Sequence, residues 1–364
     1  MKINIDFYPI KSGINPYIEI MRELLEKQLD CNIKEFVYSE KYYLKNKKHT
    51  DIVYMNWYDN IQTTNTIRTL IRAIRRIELL CLIKKCKIKI VIVIHNRIPH
   101  NTKNIKLISW FSKEIYKIAD KVVILSGGTI DVLKKDFGEK YYKKIENKIS
   151  VVPHPNYYNV YPEKNIDFRN IWNVKKDDFV YLFFGNISPY KNVEVFIEAA
   201  QELSQKVNKA KFVIMGNCNN DYKKKLASKI GQNDNILLIT REIENAELTS
   251  VIKSSNIVVM PFDKKSSLNS TTLFLALSCG VNVICSRIAC VTDFSGKLYD
   301  YDYSDYVDHR NELVNMCEKA YEEFFDYPDT YRNRLNEIEN KLKTDHEKVA
   351  VGKKLANVIR NVVS

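Results

Sequence analysis

The stretch that most invites chemistry is Phe184-Gly185-Asn186-Ile187-Ser188-Pro189-Tyr190-Lys191-Asn192, which follows the apolar run Phe179–Phe184 and precedes a segment of helical spacing. A glycine ending a buried strand, a short loop and a lysine at a helix start bring backbone N–H groups and an ammonium to one point, as a diphosphate requires. A solvated loop lysine is the bland alternative. Asn269-Ser270-Thr271-Thr272 opens a second helical segment, which Gly280 closes. Ser270 or Asn269 can cap it, leaving free N–H groups and the hydroxyls of Thr271 and Thr272 to face an anion, although an ordinary cap needs no ligand. Between these two lie Met215-Gly216-Asn217, where Gly216 admits a nucleotide to the backbone or simply makes a turn, and Arg241-Glu242-Ile243. Arg241 and Ile243 are candidates to hold a base. Glu247 reads as a ribose ligand or as a solvated helix carboxylate.

In the first half of the chain, His95-Asn96 ends the apolar run Ile88–Ile94. An imidazole there can orient or deprotonate a hydroxyl, or it can be structural. His154, after Val151-Val152-Pro153, is either a second site residue or a hinge support. The loop Lys11–Tyr17 is short and polar, Gly13 in it permits close backbone approach to a ligand, and Pro16 suits a helix start. The sequence has no G-x-G-x-x-G at its first strand, no G-x-x-x-x-G-K-[ST], no G-x-S-x-G and no H-E-x-x-H. Dinucleotide oxidoreductases, P-loop enzymes, elbow-type hydrolases and zincins all lose ground.

The elements that must position these residues alternate. Val/Ile-rich runs at Lys2–Tyr8, Ile33–Tyr38, Asp51–Asn56, Ile88–His95, Lys121–Ser126 and Ile149–Pro153 are separated by helical spacing at about Pro16–Gln28, Thr66–Lys85, Lys103–Ile118 and Thr129–Phe137. The pattern then repeats: runs at Phe179–Phe184, Lys211–Met215, Asn235–Ile239, Asn256–Pro261 and Asn282–Cys285, with helices at about Val193–Val207, Asp221–Ile230, Ala246–Lys253 and Ser270–Cys279. This is the signature of two doubly wound α/β domains with parallel sheets, whose ligands bind at the carboxyl ends of the strands. Asn156–Asp178 is the linker candidate, and Asn333–Ser364 reads as one or two amphipathic helices.

Composition bounds the class. The 364 residues carry a formal net charge of +13 and 45% hydrophobic content, which excludes disorder and favours an anionic partner. The eight cysteines show no C-x-x-C or metal-ligand spacing and read as buried free thiols in a reducing compartment. No signal-peptide run or spanning apolar stretch occurs, so a cytoplasmic protein with at most a peripheral membrane hold is expected. Eight basic residues between Arg68 and Lys89 face the single acid Glu78 and alternate with Ile and Leu. Without interleaved aromatics this segment suits an anionic membrane surface better than nucleic acid, or else a core-packed helix with a solvated basic face.

The order of Asp51-Ile52-Val53-Tyr54-Met55-Asn56-Trp57, Ile94-His95-Asn96, Ala119-Asp120-Lys121-Val122-Val123, Val152-Pro153-His154-Pro155, the Phe184–Lys191 loop and Ala276-Leu277-Ser278-Cys279-Gly280 resembles a glycosyltransferase of the GT-B fold, similar to family 4 (glycosyl transferases group 1). The resemblance implies two Rossmann-like domains facing across a cleft, at 1–160 and 170–340, with a helix at about 345–364 crossing back. It implies a nucleotide-diphosphate sugar donor, of UDP or GDP type, held by Gly185, Asn186, Lys191, Gly216, Arg241, Ile243, Ser270, Thr271 and Thr272. His95 matches the family's catalytic-site histidine, with Gly13, Asn15, Trp57, Asn96 and His154 on the acceptor side, and neither cofactor nor metal is called for. Two departures stand out: Asn186 replaces an arginine of the diphosphate loop, and the family's pair of glutamates falls on Ser267 and Leu275. In this it resembles bacterial hexosyltransferases of capsule or exopolysaccharide synthesis that act on lipid-linked acceptors at the inner face of the plasma membrane. A nucleotide-sugar epimerase of the same fold, or a catalytically silent scaffold subunit, remains open.

Overall fold

A computed structural model describes residues 2–13, 15–63, 65–98, 104–207 and 209–364. Ile14 of the polar loop and Lys103 at the start of an expected helix lie outside the described residues. The chain forms two compact units: Met1–Pro155 with Lys265–Asn269 and Asp345–Ser364, and Asn156–Lys264 with Ser270–Thr344.

In the first unit the strands are β1 (Ile3–Tyr8), β2 (Cys31–Glu35), β3 (Ile52–Asn56), β4 (Lys89–Ile94), β5 (Lys121–Ile124) and β6 (Ile149–Val151). All pair in parallel, in the order β2-β1-β3-β4-β5-β6. The helices are α1 (Tyr17–Gln28), α2 (Glu40–Asn46), α3 (Thr66–Lys85), α4 (Ile105–Ile118), α5 (Thr129–Phe137) and α6 (Glu139–Ile145). β3 and β4 are almost wholly buried, which is why they read as continuous apolar runs rather than alternating ones. The expected strand at Ile33–Tyr38 forms earlier, at Cys31–Glu35, because its register is set by pairing with β1 along one edge and Tyr38 turns away into an aromatic cluster with Tyr8 and Phe36.

The second unit holds α7 (Phe168–Ile171), β7 (Phe179–Phe184), α8 (Val193–Lys206), β8 (Ala210–Met215), α9 (Asn220–Ile230), β9 (Ile236–Ile239), α10 (Leu248–Lys253), β10 (Ile257–Met260), α11 (Thr271–Ser278), β11 (Asn282–Ser286), α12 (Ala289–Thr292), β12 (Tyr299–Tyr301), α13 (Tyr306–Phe325) and α14 (Pro328–Thr344). Its sheet is again parallel, in the order β12-β11-β10-β7-β8-β9. The last helix, α15 (Lys348–Val363), belongs to the first unit and packs on α1, where Gly352 lets the Leu24 and Gln28 side chains come close.

Several expectations are corrected. β12 and α13 lie in a stretch to which the sequence pattern assigns no element, and α2 and α6 are likewise additional; all are short of a clean period or rich in Tyr, Asp and Lys. The segment 156–178 is not a free connector: Tyr157, Phe168 and Trp172 are buried in the second unit. All eight cysteines are free, but only Cys285, Cys290 and Cys317 are buried, and Cys81 is exposed on α3.

Candidate functional site

In each sheet the winding reverses at one place, between β1 and β3 in the first unit and between β7 and β10 in the second. Strand loops diverge at such a switch point and leave a crevice at the carboxyl edge. At the second unit's switch point Gly185 ends β7 with φ +102°, and Pro189–Lys191 forms a 3-10 turn. Asn192 takes a left-handed conformation, φ 53°, and its Nδ2 donates to the Pro261 carbonyl beyond β10 at 2.9 Å, tying the two diverging loops together.

Lys191 is left half-buried beside Phe183, Phe184, Met260 and Phe262, with Thr272 on the same small pocket. Its Nζ lies 5.8 Å from the Tyr190 ring centroid, and no carboxylate pairs with it among the described residues. Desolvation pulls its pKa down to about 8. Such an ammonium is still mostly charged at pH 7, and an arriving anion would restore its affinity for the proton. Across the switch point, Ser270 caps α11 by accepting from the Leu273 N–H at 3.3 Å. The first turn of α11 contains no acid, and Thr271 and Thr272 are half-buried there. A lysine and a helix N-terminus thus flank one crevice, both offering positive potential.

The other donor candidates fare differently. Gly216, at φ +156°, packs so closely on Gly185 that a Cβ on it would stand 1.7 Å from the Gly185 carbonyl oxygen, so its glycine serves backbone packing between two strand ends. Arg241, proposed to hold a base, is engaged by Glu247 through two contacts, at 2.6 and 3.1 Å. The pair depresses the Glu247 pKa and raises that of Arg241, so neither group is idle. Ile243 is half-buried and Asn186 exposed.

At the first unit's switch point the chemistry is neutral. His95 follows β4, is 6% exposed, and stacks on Trp57 at 4.1 Å, with the Tyr17 ring edge-on at 5.1 Å. Its Nε2 lies 2.9 Å from Asn56 Oδ1, while Asn56 Nδ2 donates to the Tyr8 carbonyl at 3.0 Å. A carbonyl can only accept, so the amide orientation is fixed and its oxygen faces the imidazole. Nε2 therefore carries the proton and Nδ1 the lone pair. Burial, with a smaller push from His154, lowers the His95 pKa to about 3, so the ring stays neutral across the physiological range.

Asn96 forms an antiparallel bridge with Ser267, and Asn269 Nδ2 donates to the His95 carbonyl at 3.1 Å. The segment Lys265–Asn269 thereby fastens the backbone on which His95 stands. His154 is 2% exposed; its Nδ1 donates to the Pro155 carbonyl at 3.0 Å and its own carbonyl accepts from His346 Nδ1 at 2.7 Å, which anchors the approach to α15. Gly13 has φ +73° with open space where a Cβ would be, and Asn15 Oδ1 accepts from the Tyr17 N–H at 3.0 Å to start α1. Leu275 is buried in α11, and Ser267 carries only a hydroxyl, so neither supplies a carboxylate.

Asn56 and Asn192 are the residues sequence reasoning passed over, and Asn269, a candidate helix cap by sequence, leaves the capping to Ser270 and holds the His95 carbonyl instead. The signal was an amide at or just beyond the end of an apolar run, legible in Asp51–Asn56 but without meaning until its neighbour strand is known. Among the described residues no cluster of three or more His, Cys, Asp or Glu is placed to hold a metal ion, and no helix is long and apolar enough to cross a membrane.

Residues 164–296 match the family model described as glycosyl transferases group 1. No curated protein matches the sequence significantly. Among solved structures, Anabaena HepE in complex with UDP aligns over 99% of this chain and 100% of its own, with TM-score 0.69 and 14% identity. Sucrose-phosphate synthase from Thermosynechococcus elongatus aligns over 88% of this chain and 76% of its own, at TM-score 0.66 and 13% identity. A UDP-forming α,α-trehalose-phosphate synthase from Burkholderia xenovorans, in complex with glucose-6-phosphate, aligns over the full length of both chains at TM-score 0.67 and 10% identity. The chain therefore has the GT-B fold of two Rossmann-like units, and the match to glycosyl transferases group 1 lies in the second of them.

Proposed function

We propose that the protein is a metal-independent glycosyltransferase that moves a hexose from a UDP- or GDP-linked donor to a lipid-linked glycan acceptor, in the assembly of a bacterial surface polysaccharide. The observation that carries the reading is the pairing of an unneutralised Lys191 with the N-terminus of α11 at the switch point of the unit that bears the family match. Negative charge develops on the leaving nucleoside diphosphate as the glycosidic bond breaks, and a fixed cation and helix dipole in a dry crevice stabilise it. UDP in the HepE complex and the UDP-forming reaction named for the trehalose-phosphate synthase support a uridine donor. His95, neutral with a free Nδ1, accepts a hydrogen bond from a sugar or acceptor hydroxyl and so orients it.

The membrane part of the reading rests on α3. Its buried residues are Thr69, Ala73, Leu79, Leu80 and Ile83, while Ile67, Leu70, Ile71 and Ile74 are exposed among the arginines. This supports a hold on the cytoplasmic face of a membrane, with the basic segment Arg68–Lys89 against anionic lipid.

Calorimetry with UDP and GDP tests the donor site. Binding to the wild type that weakens in Lys191→Ala supports it, and undiminished affinity in the variant removes Lys191 from the diphosphate. Product formation from a nucleotide-sugar only when a lipid-linked acceptor is present separates transfer from epimerisation. Nucleotide binding with no turnover across such acceptors points to a silent scaffold.

A further inference from the structure

A groove of about 930 Å³ runs along the first unit between the start of α2 and the outer side of α3. Arg68, Arg72, Arg75 and Arg76 all line it, against the carboxylates of Glu40 and Glu78, so its walls carry a net excess of positive charge. Two of these guanidinium groups are held in place. Arg76 donates to the Tyr58 and Asn60 carbonyls and lies 5.3 Å above the Tyr38 ring and 4.9 Å above that of Tyr58; Arg72 donates to the Gln62 carbonyl at 3.3 Å. The guanidinium groups of Arg68 and Arg75 make no hydrogen bond or ion pair among the described residues. Planar guanidinium forks with donors to spare suit the oxygens of a phosphate better than a point charge would.

The apolar residues of α3 add a second observation. Ile67, Leu70, Ile71 and Ile74 recur at i, i+3, i+4 and i+7 and are 40–68% exposed, while Arg68, Arg72 and Arg75 recur at i, i+4 and i+7 about 100° round the helix. A helix on a sheet needs one apolar stripe, and α3 already buries Thr69, Ala73, Leu79, Leu80 and Ile83. A second, exposed stripe running parallel to a row of arginines has the two-sided chemistry of an amphiphile: an anionic head and an apolar chain, side by side.

We infer that this groove binds the terminal phosphate of a single membrane amphiphile, with its chain lying along Ile67, Leu70 and Ile74. The inference deepens the membrane part of the proposed function, adding a defined headgroup site to a merely basic surface. The groove wall also leads toward His95, because Tyr38 packs edge-on against Tyr8 at 5.3 Å and the Tyr8 carbonyl anchors Asn56, which faces the imidazole.

The test uses the full chain and phosphatidylcholine vesicles doped either with farnesyl phosphate or, to equal charge, with phosphatidylglycerol. Two variants remove the same charge from the two halves of the basic segment: Arg68→Gln/Arg75→Gln in the groove and Lys85→Gln/Lys87→Gln beyond it. The expected result is a loss of roughly tenfold or more on farnesyl phosphate for the arginine pair, as for charge-assisted hydrogen bonds removed, and a change within about twofold for the lysine pair. Equal losses for both pairs on both vesicles would mean long-range attraction only and overturn the site. Calorimetry with inorganic pyrophosphate covers the other source of the same chemistry. If pyrophosphate alone binds as tightly as the lipid, and Ile67→Ser/Ile74→Ser leaves vesicle binding unchanged, the occupant is a free phosphate and the lipid assignment falls. UDP titration of every variant keeps the two readings apart: headgroup binding without UDP binding sinks the donor site and leaves this one standing, and UDP binding without headgroup selectivity does the reverse.

Discussion

The two switch points use one device for opposite electrostatic ends. In each, an asparagine amide donates to a carbonyl across the diverging strands: Asn56 to Tyr8 in the first unit, Asn192 to Pro261 in the second. Around the first, stacked aromatic rings hold a neutral imidazole; around the second, an ammonium without a carboxylate partner stands by a helix N-terminus. The same topology thus makes a hydrogen-bonding edge in one sheet and an anion-binding edge in the other. The difference lies in which side chain follows the strand and in whether a carboxylate is allowed near it. Arg241 shows the contrast within a single sheet, since Glu247 already occupies its guanidinium.

The sharpest way to break the comparison is at His95. Replacing it with Ala is expected to lower kcat about 10²–10⁴-fold while leaving the UDP dissociation constant unchanged, as a hydroxyl-orienting or proton-accepting group would. With its pKa near 3, His95 gives the wild-type rate no acid limb between pH 5 and 7. Asn56→Asp sets a carboxylate against Nε2, favours the imidazolium and should bring such a limb into that range. An unchanged pH–rate profile in Asn56→Asp would show that the amide does not govern the ring.

Next in size is Gly216→Ala, where the added methyl group meets the Gly185 carbonyl. A loss on the order of 3 kcal/mol is expected in denaturant unfolding, and an unaffected midpoint would show that the two strand ends are free to part. Lys191→Ala should weaken UDP binding about 10- to 100-fold, equivalent to one charge-assisted contact in a dry site. In the wild type, UDP affinity should fall as pH rises through about 8, where the ammonium is lost, and this dependence should vanish in the variant.

A smaller effect distinguishes the units in stability. Asp59 is buried against the Tyr116 hydroxyl, and desolvation raises its pKa to about 6 from an unfolded value near 3.8. The folded state therefore prefers the neutral acid, so its contribution is complete below about pH 4 and is lost as pH rises through 6. Asp59→Asn should remove that dependence and raise stability at pH 7 by about 1–3 kcal/mol, read from thermal unfolding at pH 5 and pH 7. Smallest of all, Arg241→Gln should change UDP affinity by less than about threefold, because the guanidinium is engaged by Glu247. A larger loss would mean that the pair opens to the ligand.

Strand runs, helical spacing and turn residues are local, so the two α/β halves and the junctions at Gly185–Lys191, Ser270–Thr272 and His95 could be read along the chain. The edge strand β2 was displaced and β12 missed because short strands take their limits from a neighbour rather than from their own period. The basic segment Arg68–Lys89 was visible as composition, yet periodicity could not say which of two apolar stripes on α3 would be buried.

What the sequence determined by itself was the kind of chemistry at each junction: an imidazole, an ammonium, a capped helix, a row of arginines. What the tertiary structure decided was the state of each group. Strand order brings the Tyr8 carbonyl to Asn56 across 48 residues and so fixes the His95 tautomer. Packing strips water from Lys191 while leaving it no carboxylate, and gives Arg241 one. Charge and proton affinity depend on desolvation and on neighbours distant in the chain, and only the folded sheets supply those.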